Sequence, residues 1–196
     1  WGNMKDNKNS TTPLRLDGAF TWIKDNKTYF FKDSRIYLYD DKNMAIAQGY
    51  PKEINQVFPG IPNNIDAVFT WHLDNKTYFF KGAYFYRFDD RNNKLESGYP
   101  KLINRRWIAG NSNTVIPTNI TAVYSDKRVN KAYMIQGTKL FEVDQTKITH
   151  VGEIGTKYEG LSEIIGCLLK SEDECEDPNT GCRYLKGKKM CVVSNN

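Results

Sequence analysis

Few side chains in this chain are of types that carry out catalytic chemistry. Only two histidines occur, His72 and His150, and the four cysteines all lie within the last thirty residues. The sequence contains no G-x-S-x-G or H-E-x-x-H motif, no glycine-rich phosphate-binding loop and no cysteine beside a conspicuous base. We therefore predict that the chain is not an enzyme.

The cysteines form an even, closely spaced set: Cys167, Cys175, Cys182 and Cys191. Such a set indicates two disulfides and an oxidising compartment, with three pairings that the sequence leaves open. A zinc site is the alternative, but the C-x2-C knuckle typical of structural zinc sites is absent.

Four Asn-x-Ser/Thr sequons, which accept N-linked glycans in secreted proteins, begin at Asn9, Asn26, Asn75 and Asn119. Together with the cysteines, they predict a secreted, extracellular glycoprotein.

The composition is that of an ordinary soluble globular protein, with 39% hydrophobic and 26% charged residues. The net charge of +5 is spread along the chain, which argues against nucleic-acid recognition. No apolar stretch approaches the roughly 20 residues of a membrane span.

Six basic residues fall on predicted linkers and turns, where they form either a polyanion site or a solvated face: Lys101, Arg105, Arg106, Lys127, Arg128 and Lys131.

An internal repeat organises the chain. The word DNKTYFF occurs at residues 25–31 and again at 74–80, and the QGYPK at 48–52 aligns with SGYPK at 97–101 at the same offset. A third, weaker copy runs from Ile120 to Asp144, and a fourth, looser one from Arg183 to Val193 follows a candidate first strand, IGCLL. The first two copies are 49 residues apart, and repeats with a period of about 20–50 residues are typical of propellers and other repeat architectures.

Each repeat predicts three antiparallel strands and a tail, separated by Asp-Asn-Lys and Lys-Gly turns. Sheets that are apolar on both faces must stack on one another, and radial stacking gives a propeller. We expect an all-β, four-bladed β-propeller with a tail at 1–13 and blades at 14–61, 62–116, 117–160 and 161–196. The last blade is small and poor in apolar residues, so we expect the disulfides to hold it together.

The order D-A-V-F, T-Y-F-F-K-G, Y-R-F-D, G-Y-P-K and F-P-G-I-P resembles the hemopexin-like repeat. That repeat is found in hemopexin, in vitronectin, in the C-terminal domain of matrix metalloproteinases and in some plant albumins. The resemblance implies a four-bladed propeller whose first strands line a central channel. It also implies ring closure by a disulfide from a cysteine before blade one, and this chain has no such cysteine.

The resemblance further implies a calcium or sodium ion in the channel, bound by main-chain carbonyls, and in some members a chloride. By position, the cation would face the carbonyls of Asp17, Asp66, Thr121 and Gly166. A second ion would lie one step along, beside Ala19, Val68 and Val123. Asp17 and Asp66 have a compatible alternative role, in which their carboxylates bond nearby backbone amides at the start of the strand.

Haem binding is a further implication of the family, with His72 and His150 as candidate axial ligands. Neither histidine belongs to the repeat, since Ile23 stands where repeat two has His72, and this favours ordinary surface histidines. We expect a secreted, non-catalytic module that binds extracellular matrix proteins or glycans. The alternatives are a carrier of haem or another small ligand and the substrate-targeting domain of a larger metalloproteinase; homodimerisation is compatible with each.

Overall fold

The computed structural model describes residues 16–103, 118–143, 148–154, 182–185 and 190–193. The chain divides into two compact units, Trp1–Gln136 with Phe141–Thr149, and Gly137–Leu140 with His150–Asn196. Within the described residues the regular structure is almost entirely β, and the sheets follow the repeats. The prediction of an all-β protein is confirmed.

The first sheet comes from repeat one. Its strands are β1 (Gly18–Trp22), β2 (Lys27–Lys32), β3 (Arg35–Asp40), β4 (Ala45–Ile46) and β5 (Lys52–Glu53). They lie in the order β1-β2-β3-β4, and β5 also pairs with β3. The predicted tail is therefore two short strands that pair with different parts of β3. One turn of helix, α1 (Ile54–Val57), follows, and the side chain of Gln56 accepts a hydrogen bond from the backbone N–H of Glu53 at 3.1 Å.

The second sheet repeats this plan. It comprises β6 (Ala67–Trp71), β7 (Lys76–Lys81), β8 (Tyr84–Asp89), β9 (Lys94–Leu95) and β10 (Lys101–Leu102). The strand order is β10-β8-β7-β6, with β9 also paired to β8.

The third and fourth repeats are described less fully. The third sheet has the order β11-β12-β13-β14, formed by β11 (Ala122–Asp126), β12 (Lys131–Gln136), β13 (Lys139–Val143) and β14 (Ile148–Glu153). In the last repeat, β15 (Cys182–Leu185) and β16 (Met190–Val193) form an antiparallel pair in which Leu185 lies opposite Met190. The candidate first strand IGCLL lies outside the described residues, as do residues 1–13.

The repeated word DNKTYFF is a turn followed by a strand. In repeat one, Asp25 accepts hydrogen bonds from the backbone N–H of Lys27 at 3.0 Å and from the hydroxyl of Tyr29 at 2.7 Å. Asn26 has a φ of 56°, a left-handed conformation that asparagine tolerates better than most residues. Repeat two has the same arrangement, with the hydroxyl of Tyr78 donating to Asp74 at 2.6 Å. Burial, and then the bond to the aspartate, raises the pKa of both tyrosines above the ordinary value.

Aromatic side chains fill the space between neighbouring sheets. Between the first and second sheets, Phe20, Phe31, Phe79 and Phe88 surround Phe58 from the linker after α1. The Phe58 ring centroid lies 5.1 Å from that of Phe79 and 5.2 Å from that of Phe88. Between the second and third sheets, a cluster built in the same way contains Phe69, Trp71, Tyr78, Phe80, Phe85, Met134 and Phe141.

The two aligned tryptophans of the repeats lie in these clusters. Trp22 and Trp71 are buried in the first and second of these clusters, respectively. Tyr84, by contrast, is 46% exposed, because it is the first residue of β8 and follows the tight turn at Gly82. No helix in the described part of the chain is long and apolar enough to cross a membrane.

A buried carboxylate ties the first two repeats together. Asp90, only 6% exposed, accepts hydrogen bonds from the backbone N–H of Thr77 at 2.9 Å and from the Thr77 hydroxyl at 2.7 Å. The indole N–H of Trp22, in the neighbouring repeat, also donates to this carboxylate. A buried charge is tolerated when hydrogen bonds replace its lost hydration, and here three donors do so.

We predict that Asp90→Ala lowers the free energy of unfolding by about 3 kcal/mol, since buried donors on two residues lose their partner. Asp41 occupies the same position in repeat one and is exposed, so Asp41→Ala is a matched control with an expected loss below about 0.5 kcal/mol. Urea unfolding followed by tryptophan fluorescence measures both. Equal losses in the two variants would contradict the bridging role of Asp90.

Candidate functional site

The first strands of three repeats lie side by side. β6 lies beside both β1 and β11, and the approach to β1 is close. A Cβ added at Gly18 would come within 3.2 Å of the Cγ1 atom of Val68, so glycine at this position leaves room for the neighbouring strand. The residues around these three strands therefore form shared surfaces to which every one of the three repeats contributes.

One such surface is a recess of about 430 Å³ where the three strands begin, which we call the strand-start recess. Asp17, Asp66 and Thr121 all line it, together with Leu16, Ile65, Asn119 and Ile120. Three of the four residues predicted to surround a channel cation are thus brought together. The fourth, Gly166, lies outside the described residues.

The carboxylates of Asp17 and Asp66 are engaged by their own repeats. Asp17 accepts hydrogen bonds from the ammonium group of Lys32 at 3.1 Å and from the backbone N–H of Asp33 at 2.6 Å. Asp66 accepts bonds from Lys81 at 3.1 Å and from the backbone N–H of Gly82 at 2.5 Å. We expected these carboxylates to bond backbone amides at the start of the first strand. The bonded amides belong instead to the turn after the second strand. These aspartates therefore have a structural role, which leaves their carbonyls as the candidate ion ligands.

A second recess of about 370 Å³ follows the later residues of the same strands, and we call it the His72 recess. Ala19, Val68 and Val123, the predicted neighbours of a second ion, all contribute to its lining. Alternate residues point to one face of a strand, so the next contributions come two residues further along. These are Thr21, Thr70 and Ser125, which occupy equivalent positions in the three repeats. Their hydroxyls contact the hydroxyl of Thr28 at 3.5 Å, the hydroxyl of Thr77 at 3.3 Å and the imidazole of His72, respectively.

Two more residues further on, the repeats diverge. Ile23, His72 and Lys127 occupy equivalent positions and all line the His72 recess. The Nδ1 atom of His72 forms a hydrogen bond with the hydroxyl of Ser125, which connects the second and third repeats. Its Nε2 atom is buried and has no hydrogen-bond partner within the described part of the chain. For His150, only the backbone, in β14, is described.

The predicted basic set is largely occupied by internal contacts. Arg128 pairs with Asp126 at 2.9 Å and Lys131 pairs with Glu142. The ammonium group of Lys101 lies 4.3 Å from the centroid of the Tyr99 ring, a cation–π distance. Arg105 and Arg106 lie outside the described residues. These internal partners argue against one continuous polyanion-binding surface, and Lys127 is the member that contributes to a recess.

The predicted modification sites are partly described. Asn26, Asn75 and Asn119 are exposed and each has a φ between 53° and 56°. Asn26 and Asn75 lie at the edge of the His72 recess. Asn9, Cys167 and Cys175 lie outside the described residues, and only the backbones of Cys182 and Cys191 are described, so glycosylation and disulfide formation stay predictions.

Sequence reasoning named Asp17, Asp66 and Thr121 of the strand-start recess but treated His72 as an ordinary surface residue. The sequence did contain a signal for this recess. The repeats have three different residues at Ile23, His72 and Lys127, two positions after a hydroxyl-bearing residue in each repeat. Within the described residues, no three His, Cys, Asp or Glu side chains come together as a metal site. A cation in this part of the chain would depend on main-chain and hydroxyl oxygens.

The first two repeats are similar to a known protein family. The profile of the family described as Hemopexin matches residues 16–63 and 65–109. Matrix metalloproteinase-21 of Cynops pyrrhogaster is 40% identical over 52 residues, which are 26% of this chain and 8% of that protein. The chain thus matches less than a tenth of the length of this relative.

Two solved structures share the fold. The seed albumin LS24 of Lathyrus sativus superposes with a TM-score of 0.63 and 23% identity, covering 76% of this chain and 71% of the albumin. The hemopexin fold protein CP4 from cow pea covers 92% of this chain and 91% of its own, with a TM-score of 0.58 and 18% identity.

We predict that Asp66→Ala lowers the free energy of unfolding by about 1–2 kcal/mol, because the N–H of Gly82 and the ammonium of Lys81 lose their acceptor. Thr121→Ala is the matched control in repeat three, where the hydroxyl donates to an already accepting carbonyl, that of Ile135, at 3.1 Å. Its expected loss is below about 0.5 kcal/mol. Chemical unfolding of the two variants side by side tests this, and an unaltered Asp66→Ala protein would show that the carboxylate is dispensable.

Proposed function

Because the chain belongs to the hemopexin-like repeat family, we propose that it is a non-catalytic module that binds extracellular matrix proteins or glycans. The observation that carries this proposal is the His72 recess. Three repeats contribute equivalent hydroxyls to it and then three different side chains, Ile23, His72 and Lys127. The hydroxyl-bearing residues are alike in the three repeats, whereas the side chains two positions further on differ. Such a recess suits recognition of a partner, since polar groups at fixed positions set the specificity of binding sites.

The proposal includes a four-bladed propeller with blades at 14–61, 62–116, 117–160 and 161–196. Three sheets that follow the repeats, and the hairpin of β15 and β16, support this division. In the proposed last blade, two disulfides among Cys167, Cys175, Cys182 and Cys191 stabilise a core with few apolar residues. We also propose that the protein is secreted and that it carries N-linked glycans on the exposed Asn26, Asn75 and Asn119.

A calcium or sodium ion fits the chemistry of the strand-start recess. Calcium is bound by clusters of oxygen atoms, including backbone carbonyls, and Asp17, Asp66 and Thr121 line one recess. In the proposal their carbonyls and that of Gly166 hold the cation, and Ala19, Val68 and Val123 lie beside a second ion such as chloride. A cation bound there would supply a positive charge that attracts the carbonyl dipoles of these residues and so would help to hold the first strands in alignment.

A second candidate function is the substrate-targeting domain of a larger metalloproteinase. The sequence match to matrix metalloproteinase-21 at 40% identity favours it. The two candidates differ in what precedes the repeats in the full gene. We predict that, for a targeting domain, sequencing the transcript upstream of Trp1 finds an H-E-x-x-H zinc motif; an open reading frame without this motif contradicts the second candidate.

The binding function is tested with the intact chain on a panel of immobilised collagens, fibronectin, laminin and sulfated and unsulfated glycans. We expect saturable binding to at least one member by surface plasmon resonance. Protein unfolded by heat and reduction is the control, because specific recognition needs the folded recess.

Two further measurements sharpen this test. Repeating the titration with calcium and with a chelator shows whether the proposed cation supports the binding conformation. The absence of saturable binding to every panel member, together with cleavage of a panel protein by the purified chain, would overturn the proposal of a non-catalytic binding module.

A further inference from the structure

The second strand of each of the first three repeats begins with a lysine: Lys27 in β2, Lys76 in β7 and Lys131 in β12. In repeat two, the ammonium group of Lys76 lies 3.0 Å from a carboxylate oxygen of Glu96. In repeat three, Lys131 pairs with Glu142 in β13. Each of these two lysines thus has a glutamate of its own repeat as a partner.

Repeat one has no glutamate at either of these positions. Ala47 stands where repeat two has Glu96, and Leu38 stands where repeat three has Glu142. Lys27 is exposed and, unlike the lysines of the other two repeats, forms no ion pair within the described part of the chain. Its positive charge is therefore available to a carboxylate from outside the chain.

The backbone around this position has the same arrangement in repeats one and two. The N–H of Ala47 donates to the carbonyl of Leu38 at 2.9 Å, and the N–H of Glu96 donates to the carbonyl of Arg87 at 3.0 Å. The Cβ atom of Ala47 therefore occupies the position from which Glu96 reaches its lysine. Beyond it is a recess of about 290 Å³, which we call the Lys27 recess and whose lining includes Lys27, Leu38, Asp40, Asp41, Lys42 and Ala47.

The lining carries charges of both signs, with Lys27 and Lys42 positive and Asp40 and Asp41 negative. The carboxylate of Asp40 is engaged by the turn that follows β3. It accepts hydrogen bonds from the side-chain amide of Asn43 at 2.6 Å and from the backbone N–H of Lys42 at 3.0 Å. Its position relative to an entering carboxylate can be judged from repeat two.

Repeat two shows that a glutamate is compatible with this aspartate. Asp89, the equivalent of Asp40, accepts a hydrogen bond from the side-chain amide of Asn92 at 2.7 Å. It lies 3.5 Å from the ammonium group of Lys76, which also binds Glu96. One lysine thus accommodates two carboxylates there, and Lys27 has room for the second.

We infer that the Lys27 recess receives a glutamate side chain of a partner protein, in the place that repeat two fills with its own Glu96. Lys27 attracts the carboxylate, and Leu38 and Ala47 provide apolar contacts for the methylene groups. The volume lies at the small end of ligand pockets, which are about 300–1,000 Å³, so it suits one side chain rather than a whole cofactor.

This inference rests on the proposed binding function and specifies one contact of the partner. The Lys27 recess shares no described lining residue with the His72 recess, so the two sites are tested separately.

The test is a titration of the intact chain with acetyl-Gly-Glu-Gly-amide, with acetyl-Gly-Gln-Gly-amide and with sodium glucuronate. The two peptides differ in the charge of one side chain, and glucuronate presents the carboxylate of a glycan instead. The NMR signals of ¹³C-labelled alanine and leucine methyl groups report binding, because Ala47 and Leu38 both line the recess. Ala47→Glu and Leu38→Met assign these signals, and sodium chloride holds the ionic strength constant.

We expect the glutamate peptide to shift both signals saturably, while the glutamine peptide and glucuronate leave them unchanged. Lys27→Gln should weaken the binding about fivefold, since one partly screened ion pair is lost. Lys94→Gln, at an exposed lysine in β9 outside the lining, is the matched control and should leave the binding unaltered.

Ala47→Glu supplies the missing carboxylate from within the chain. Its side chain should pair with Lys27 as Glu96 pairs with Lys76, fill the recess and abolish the shift of the Leu38 signal. Gln48→Glu adds the same charge at the next residue, which is exposed and lies outside the lining, and this variant should retain the binding.

Four results would each overturn the inference: no saturable shift with the glutamate peptide, an equal shift with the glutamine peptide, glucuronate bound as tightly as the glutamate peptide, or unchanged peptide binding in Lys27→Gln or Ala47→Glu. Melting curves confirm that each variant is folded, so a loss of binding is not a loss of structure. Binding to the matrix panel without any response of Ala47 or Leu38 to the peptide would leave the proposed module intact and remove only this site. A saturable response to the peptide without binding to the panel would retain the site and contradict matrix binding.

Discussion

The sheets of this protein are apolar on both faces, and this constraint determines the arrangement around the functional site. In β7, Phe79 packs toward the first sheet while its neighbours Tyr78 and Phe80 pack toward the third. Burying one phenylalanine side chain contributes about 1.5–3 kcal/mol, so exposure of either face would offset much of the stability of a domain. The second sheet is therefore buried by a neighbouring sheet on each side, and Phe58 fills the gap between it and the first sheet.

The same alternation separates residues that pack between sheets from residues that line the His72 recess along the first strands. In β1 and β6, the residues of one parity, Phe20 and Trp22 or Phe69 and Trp71, are buried between sheets. Residues of the other parity lie where the three strands meet and line the recess. Ile23, His72 and Lys127, the last members of this second set, lie outside both aromatic clusters, which explains how they differ inside an otherwise similar frame.

The sequence was sufficient for features that depend on local order and repetition. The turn at Asp25 and Asn26, the three main strands and the aromatic packing all follow from one repeated word and its periodicity. Contacts between repeats were not predictable in this way. The bond from Trp22 to Asp90 and the one from His72 to Ser125 each join residues more than fifty positions apart. They depend on how two sheets align, and Asp41 shows that the same position in another repeat is simply exposed.

Charge is distributed differently at the two ends of the first strands. At the strand-start recess, Asp17 and Asp66 have ion-pair partners at 3.1 Å in Lys32 and Lys81, so little of their negative charge is left for a bound cation. Any affinity for calcium or sodium there must come mainly from carbonyl dipoles. At the His72 recess the charge of Lys127 has no such neutralising partner among the described residues, and the other polar side chains of the lining are hydroxyls, amides and the imidazole of His72. The strand-start end thus suits a structural ion held by the backbone, whereas the His72 end suits an exchangeable ligand selected by side chains.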